Sequence, residues 1–225
     1  MFERMIRIIG EEKFQLIQRK KVLLIGVGGV GGYALEALVR SGIQNITIAD
    51  FDFIEETNIN RQIIANSSNI GKSKVEEAKS RVSMINPQCK LDIITEKIKR
   101  EDVSELVQGY DYVVDACDDV LLKVSLIQVC FQKQIKIISC MGTGNRFHPE
   151  ELAISTLRKT MQDPLAKKIR SLVRKEMEVA LDVPVVWSKE QPVSSPLLGT
   201  FCPVPMSAGS LLASFVIQSM INQVK

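Results

Sequence analysis

Histidine and tryptophan each occur once among the 225 residues, as His148 and Trp187. His148 precedes Pro149 and reads as a surface loop residue, so neither a Ser–His–Asp nor a Cys–His mechanism is expected. The five cysteines (Cys89, Cys117, Cys130, Cys140, Cys202) are odd in number and include no Cys-x-x-Cys pair. That excludes a zinc site of that spacing, and no disulfide framework can be read from it. Thiols among apolar neighbours suit a reducing compartment, and a cytoplasmic protein is expected. Large excess charge is also missing: 29 basic against 26 acidic residues leave +3. A nucleic-acid partner is therefore allowed but not announced, and any basic surface has to be local. The start, Met1-Phe2-Glu3-Arg4, has an acid and no apolar core, unlike a secretory signal. The apolar stretch at about 211–217 is too short to span a bilayer, so no membrane insertion is expected. There is no internal repeat, and the length suits one sizeable core: a single domain over 1–225.

What is present is alternation. Val22-Leu23-Leu24-Ile25 is an unbroken apolar run ending at Gly26, the mark of a strand buried on both faces. A helix is predicted through Val39, a strand over 46–49, a helix over 73–85 and a strand over 91–95. A short helix over 101–107, a strand over 110–116, a helix over 119–132 and a strand over 135–140 follow. Such alternation predicts an α/β, Rossmann-like parallel sheet with helices on both faces. After about residue 145 the pattern changes. Asp163-Pro164 starts a helix predicted to reach about Val179, 184–187 reads as a strand, 191–205 is a proline-rich loop, and a last apolar helix closes the pattern. Residues 1–145 are thus the expected nucleotide-binding part and 146–225 a C-terminal extension.

Gly26, Gly28 and Gly31 form G-x-G-x-x-G between a strand and a helix, with Gly29 inside the loop. Such glycines let backbone N–H groups at a helix start approach a phosphate. Asp50, ending the next strand, is placed for ribose hydroxyls. The motif alone does not choose among NAD, FAD and ATP. A triphosphate needs fixed cations beyond the glycine loop, and Arg61 and Lys74 supply them. Asp118 and Asp119 follow the fourth strand, where oxygen ligands suit magnesium, while one of them caps the next helix. Cys117 reads as a small buried residue, Cys202 as a loop thiol, and Trp187 as core.

These residues resemble the superfamily of ubiquitin-activating-like (ThiF/MoeB-like) adenylyltransferases. The likeness runs through Gly26–Gly32, Asp50-Phe51-Asp52, Asn58-x-Asn60-Arg61-Gln62, Gly71-Lys72-x-Lys74, Ile85-Asn86-Pro87 and Asp115-x-x-Asp118. The resemblance implies ATP and magnesium as cofactors. Asp50 would hold ribose beside Asp52, and Asn58, Arg61, Gln62 and Lys74 would hold phosphates. Asp118 would bind magnesium, with Arg61, Lys74 and Asp118 as the catalytic set. It also implies a homodimer in which Arg4 reaches the partner's nucleotide. Within the superfamily, Lys123 and the segments 139–145, 159–166 and 187–192 resemble the branch of tRNA threonylcarbamoyladenosine dehydratases. The implied activity is ATP-dependent cyclising dehydration of that nucleoside in tRNA. The alternatives are activation of a ubiquitin-like sulfur carrier, a nicotinamide oxidoreductase and a nucleotide-binding regulator. The missing zinc pairs weigh against the sulfur-carrier activator; Arg61, Lys74 and Asp118 together weigh against the other two.

Overall fold

In the computed structural model, which describes residues 1–222, helices α1 (Glu3–Ile9) and α2 (Glu11–Arg19) lead into β1 (Lys21–Ile25). Then come α3 (Gly31–Arg40), β2 (Asn45–Ala49), α4 (Lys74–Ile85), β3 (Lys90–Ile94) and the single-turn α5 (Val103–Leu106). The chain continues as β4 (Tyr112–Asp115), α6 (Val120–Gln132), β5 (Lys136–Cys140), β6 (Leu152–Thr156), α7 (Pro164–Glu176), β7 (Pro184–Ser188) and α8 (Pro203–Ile221). One seven-stranded sheet has the order β3-β2-β1-β4-β5-β7-β6. All pairs are parallel except β6 with β7.

The two-residue period of a strand sends neighbouring side chains to opposite faces. Val22 and Leu24 join a core with Leu35, Leu38, Val75 and Leu212, which come from α3, α4 and α8. Leu23 and Ile25 join a second core with Leu126, Ile127, Ile169 and Val173, from α6 and α7. An unbroken apolar run is what a strand facing two cores requires. Strand order reverses between β1 and β4, which opens a crevice beyond their carboxyl ends.

Three details differ from expectation. Strand β6 was not foreseen. Leu-Ala-Ile-Ser-Thr is only half-buried and becomes a strand through its register with β7, Ile154 opposite Val186. Helix α7 stops at Glu176 rather than near Val179, because Met177 leaves helical geometry and a 3-10 turn then buries Ala180 and Leu181. The apolar stretch at 211–217 belongs to a 19-residue helix, α8, long and apolar enough to cross a membrane by length and composition. Half of that window is buried, mainly against α3, where Gly209 lets the helices meet. A Cβ on Gly209 would lie 2.4 Å from the Val30 carbonyl oxygen. Residues 223–225 of the expected C-terminal part lie outside the described residues.

Candidate active site

The glycine loop joins β1 to α3 at the crevice. Gly26 has φ +86°, and a Cβ there would lie 2.9 Å from the Ala116 carbonyl oxygen. A Cβ on Gly31 would fall 1.8 Å from the Gly26 carbonyl oxygen, so the turn closes only without one. At Gly28 a Cβ would meet only the Gln62 side chain, at 3.7 Å. Packing does not require that glycine; it keeps the cleft open. Gly31→Ala should therefore destabilise the fold by at least about 2 kcal/mol and abolish nucleotide binding. Denaturant midpoints and calorimetry check this.

Asp50 braces the loop. Its Oδ2 accepts from Val27 N at 2.9 Å and its Oδ1 from Asp52 N at 3.0 Å. Each oxygen keeps lone-pair capacity for a hydroxyl. Residues 51–73 then fold back over the crevice, held by Ile54 N donating to Lys72 O and Gly71 N to Ile54 O, both at 2.8 Å. This return brings Arg61 and Lys74 to one cleft. The Arg61 Nη1 donates to Thr57 O at 2.7 Å and to Asn60 Oδ1 at 3.1 Å, while its stem lies along Gly29. Lys74 opens α4, its stem buried and its Nζ 2.7 Å from Asp52 Oδ2. Buried Gln62 points an Oε1 that has no hydrogen-bond partner among the described residues. Asn58 spends its Oδ1 on the local turn, accepting from Glu55 N at 3.2 Å. Its amide shapes the loop that carries Arg61 and Gln62.

The two aspartates after β4 separate cleanly. Asp119 caps α6, accepting from Leu121 N at 2.9 Å and Leu122 N at 3.0 Å. Asp118 is exposed in the cleft, its carboxylate without a partner among the described residues. Gly26, Gly28, Gly29, Asp50, Asp52, Asn58, Arg61, Gln62, Lys74 and Asp118 thus line one cleft of about 800 Å³. Gly31 lies behind it in α3. Arg4 is exposed on α1 and does not line this chain's own cleft.

Residues 2–223 match the ThiF family. The chain belongs to that family. It is 44% identical over 171 residues to the tRNA threonylcarbamoyladenosine dehydratase of Haemophilus influenzae, a match covering 76% of this chain and 66% of that protein, just under two thirds of its length. It is 36% identical over 209 residues to the enzyme of the same name from Escherichia coli, covering 90% and 78%. The crystal structure of the E. coli dehydratase in complex with ATP superposes with a TM-score of 0.94 at 34% identity, covering 99% of this chain and 94% of that one.

Sequence reasoning assigned no role to the far wall of this ThiF-family cleft. Thr143, Gly144, Leu198, Thr200 and Pro205 line it. The wall is braced from behind by a buried pair, Arg146 and Asp163, at 3.3 Å with side chains 1% and 0% exposed. Arg146 Nε also donates to Gly142 O at 3.0 Å, Gly142 N donates to Asp163 Oδ2 at 3.1 Å, and Asp163 caps α7 through Ala166 N. Arg146 bonds the Glu190 carbonyl as well. The segments 139–145, 159–166 and 187–192 are therefore one structural unit, and their spacing along the chain carried no sign of it. Lys123, noted with them, is not in the cleft; it is fully buried against Asp115. His148 is exposed beside Glu150, whose hydrogen bond raises its pKa. Trp187 is core. Burial pushes the Cys117 thiol well up, away from nucleophilic use. Cys202 Sγ lies 3.6 Å from the Tyr33 hydroxyl, and burial, then that contact, pushes Tyr33 up to about 12.

Proposed function

We infer that this chain is an ATP-dependent tRNA threonylcarbamoyladenosine dehydratase. The observation that carries the reading is the likeness over 99% of the chain, C-terminal wall included, to a dehydratase solved with ATP. In the proposed reaction the threonyl carboxylate attacks the α-phosphate and pyrophosphate leaves. The neighbouring carbamoyl group then closes a ring on the activated carbonyl carbon, releasing AMP. The nucleoside loses one water in total. The same relative has been solved with AMP, which suits an adenylate. Ring closure within one nucleoside draws on proximity, and the proton lost by the carbamoyl group passes to water or buffer.

Each role has a physical basis. Asp50 offers its free lone pairs to ribose. Arg61, tethered through one nitrogen, presents the rest of its fork to phosphate. Lys74 exchanges Asp52 for a phosphate oxygen, and the start of α4 adds its dipole. Gln62 turns its Nε2 toward Gly28, and that amide nitrogen is the proposed donor to a phosphate oxygen, while its Oε1 is buried. Among the described residues no three His, Cys, Asp or Glu side chains gather to hold a metal. A lone carboxylate such as Asp118 suits magnesium, whose other ligands are phosphate oxygens and water. When bound, the ion would neutralise charge on the phosphate chain. Mass analysis of nucleosides from threonylcarbamoyladenosine-containing tRNA, incubated with the protein, ATP and magnesium, tests the reading. Absence of a species lighter by one water sinks it.

We read residues 1–145 and 146–225 as one working unit, supported by β7 pairing with β5 in a shared sheet, and we propose the cytoplasm, where its thiols stay reduced, as its setting. We read α8 as a core helix because its buried face packs on α3. For tRNA, the exposed Lys167, Lys168, Arg174 and Lys175 of α7 are the proposed phosphate contacts. Arg170, on the same helix, instead ties α7 to Thr160, donating to its carbonyl and hydroxyl at 2.6 Å. Reversing the four exposed cations to Glu should weaken tRNA binding on the order of 10²-fold or more at low salt, with a flatter salt dependence. Filter binding across a salt series checks it. We also propose a homodimer in which Arg4 completes the partner's cleft. Arg4→Ala and Asp118→Asn subunits, each nearly inactive alone, should then give purified heterodimers with up to about half of wild-type activity, since a heterodimer holds one intact site of two. Doubly tagged heterodimers measure it.

A further inference from the structure

At the rim of the cleft, Phe147 and Phe201 stack with ring centroids 4.2 Å apart and planes 21° apart. They remain 58% and 38% exposed. His148 meets the Phe147 ring edge-on at 5.9 Å. Exposed phenylalanines on loose loops need no explanation, but these two stand on backbone held at several points. Phe147 N donates to both oxygens of Glu190, at 2.9 and 3.1 Å, and His148 N donates to the same carboxylate at 3.0 Å. Behind them lies the buried Arg146–Asp163 pair. On the other side, Asn60 Nδ2 donates to Thr200 O at 3.4 Å, and Val204 N to Phe201 O at 3.0 Å as α8 begins. Gly144 and Thr200, which line the cleft, stand three residues and one residue before the two rings.

We propose that the Phe147–Phe201 stack is a platform for an unpaired nucleobase of the RNA substrate, beside the nucleoside whose carboxylate enters the cleft. The proposal rests on the dehydratase reading above. Its occupant follows from shape and place. A planar stack is extended by another planar ring, and base–aromatic stacking tolerates any base because each has a π-face. A substrate that sends one carboxylate into the cleft must carry the rest of its strand over the rim, where these rings are. The nearby Phe51 ring differs, because Lys97 Nζ already covers it at 5.3 Å.

The test uses the full chain and a short anticodon stem-loop RNA containing threonylcarbamoyladenosine with 2-aminopurine as its neighbour. Stacking should quench the 2-aminopurine fluorescence on binding to the wild type. Phe147→Leu should lose the quench and raise KM for the RNA about tenfold, with KM for ATP and kcat at saturating RNA unchanged. Phe147→Trp should keep both the quench and the affinity. Ring loss at an exposed site leaves the melting temperature in place, so misfolding does not confuse the result. If Phe147→Leu and the Phe147→Leu/Phe201→Leu double variant bind and quench as the wild type does, the platform is overturned and the dehydratase reading stands. Altered self-association with unchanged RNA affinity also overturns it, by assigning the rings to a protein contact. If the wild type removes no water from the nucleoside, both readings fall together.

Discussion

Asp118→Asn should lower kcat on the order of 10²–10³-fold while leaving the melting temperature within a degree or so of wild type. The side chain is exposed in the cleft and has no hydrogen-bond or ion-pair partner among the described residues, so loss of its charge has little structural consequence. Its neighbour provides the control. Asp119 caps α6 with both bonds from one oxygen, and asparagine caps nearly as well, so Asp119→Asn should keep near wild-type turnover. Asp119→Ala should cost about 1 kcal/mol of stability with a minor effect on kcat. Single-turnover pyrophosphate release and thermal melts separate the two residues. Wild-type turnover in Asp118→Asn would remove Asp118 from the reacting centre.

Lys123→Met should destabilise the protein by roughly 3–5 kcal/mol, the cost of a buried charge left alone. Lys123 and Asp115 lie 2.9 Å apart with both side chains at 0% exposure. Lys123 Nζ also donates to Cys140 O at 2.8 Å, and Ser139 donates its hydroxyl to Asp115. Burial is the largest influence and depresses the ammonium pKa; the charge and hydrogen bond of Asp115, with Cys117 and Cys140 beside it, together turn the net displacement upward. The pair clamps α6 to the ends of β4 and β5, immediately before the 116–119 turn. Turnover should therefore fall together with stability, unlike in Asp118→Asn. Pairing Lys123→Met with Asp115→Leu should recover much of the lost stability, because no charge then stays buried. A midpoint unchanged in the single variant would mean the pair contributes nothing net.

The predictions differ in kind because the residues were visible to different degrees in the sequence. Gly26, Gly28, Gly31, Asp50 and Asp118 could be placed early, since each follows a strand by a short step and strands end at the same edge. Arg61 and Lys74 were named as cations, yet only the fold-back of residues 51–73 shows how they meet. Asp119 shows the opposite limit. A polar side chain near a site has the same letter whether it faces ligand or backbone, and this cap differs from its neighbour Asp118 only in direction.

Alternation of apolar runs, glycine turns and helix periods determined the α/β class, the order of most elements and the glycine-loop half of the cleft. These depend on contacts between residues close in the chain, where period and spacing carry the physics. Strand β6, the length of α8, the Lys123–Asp115 clamp and the wall of residues 142–146, 163 and 190 were decided by tertiary structure. Each depends on partners that no helix or strand period links, eight residues apart in Lys123–Asp115 and 44 in Arg146–Glu190, chosen by burial and by the pairing of polar groups that water no longer reaches.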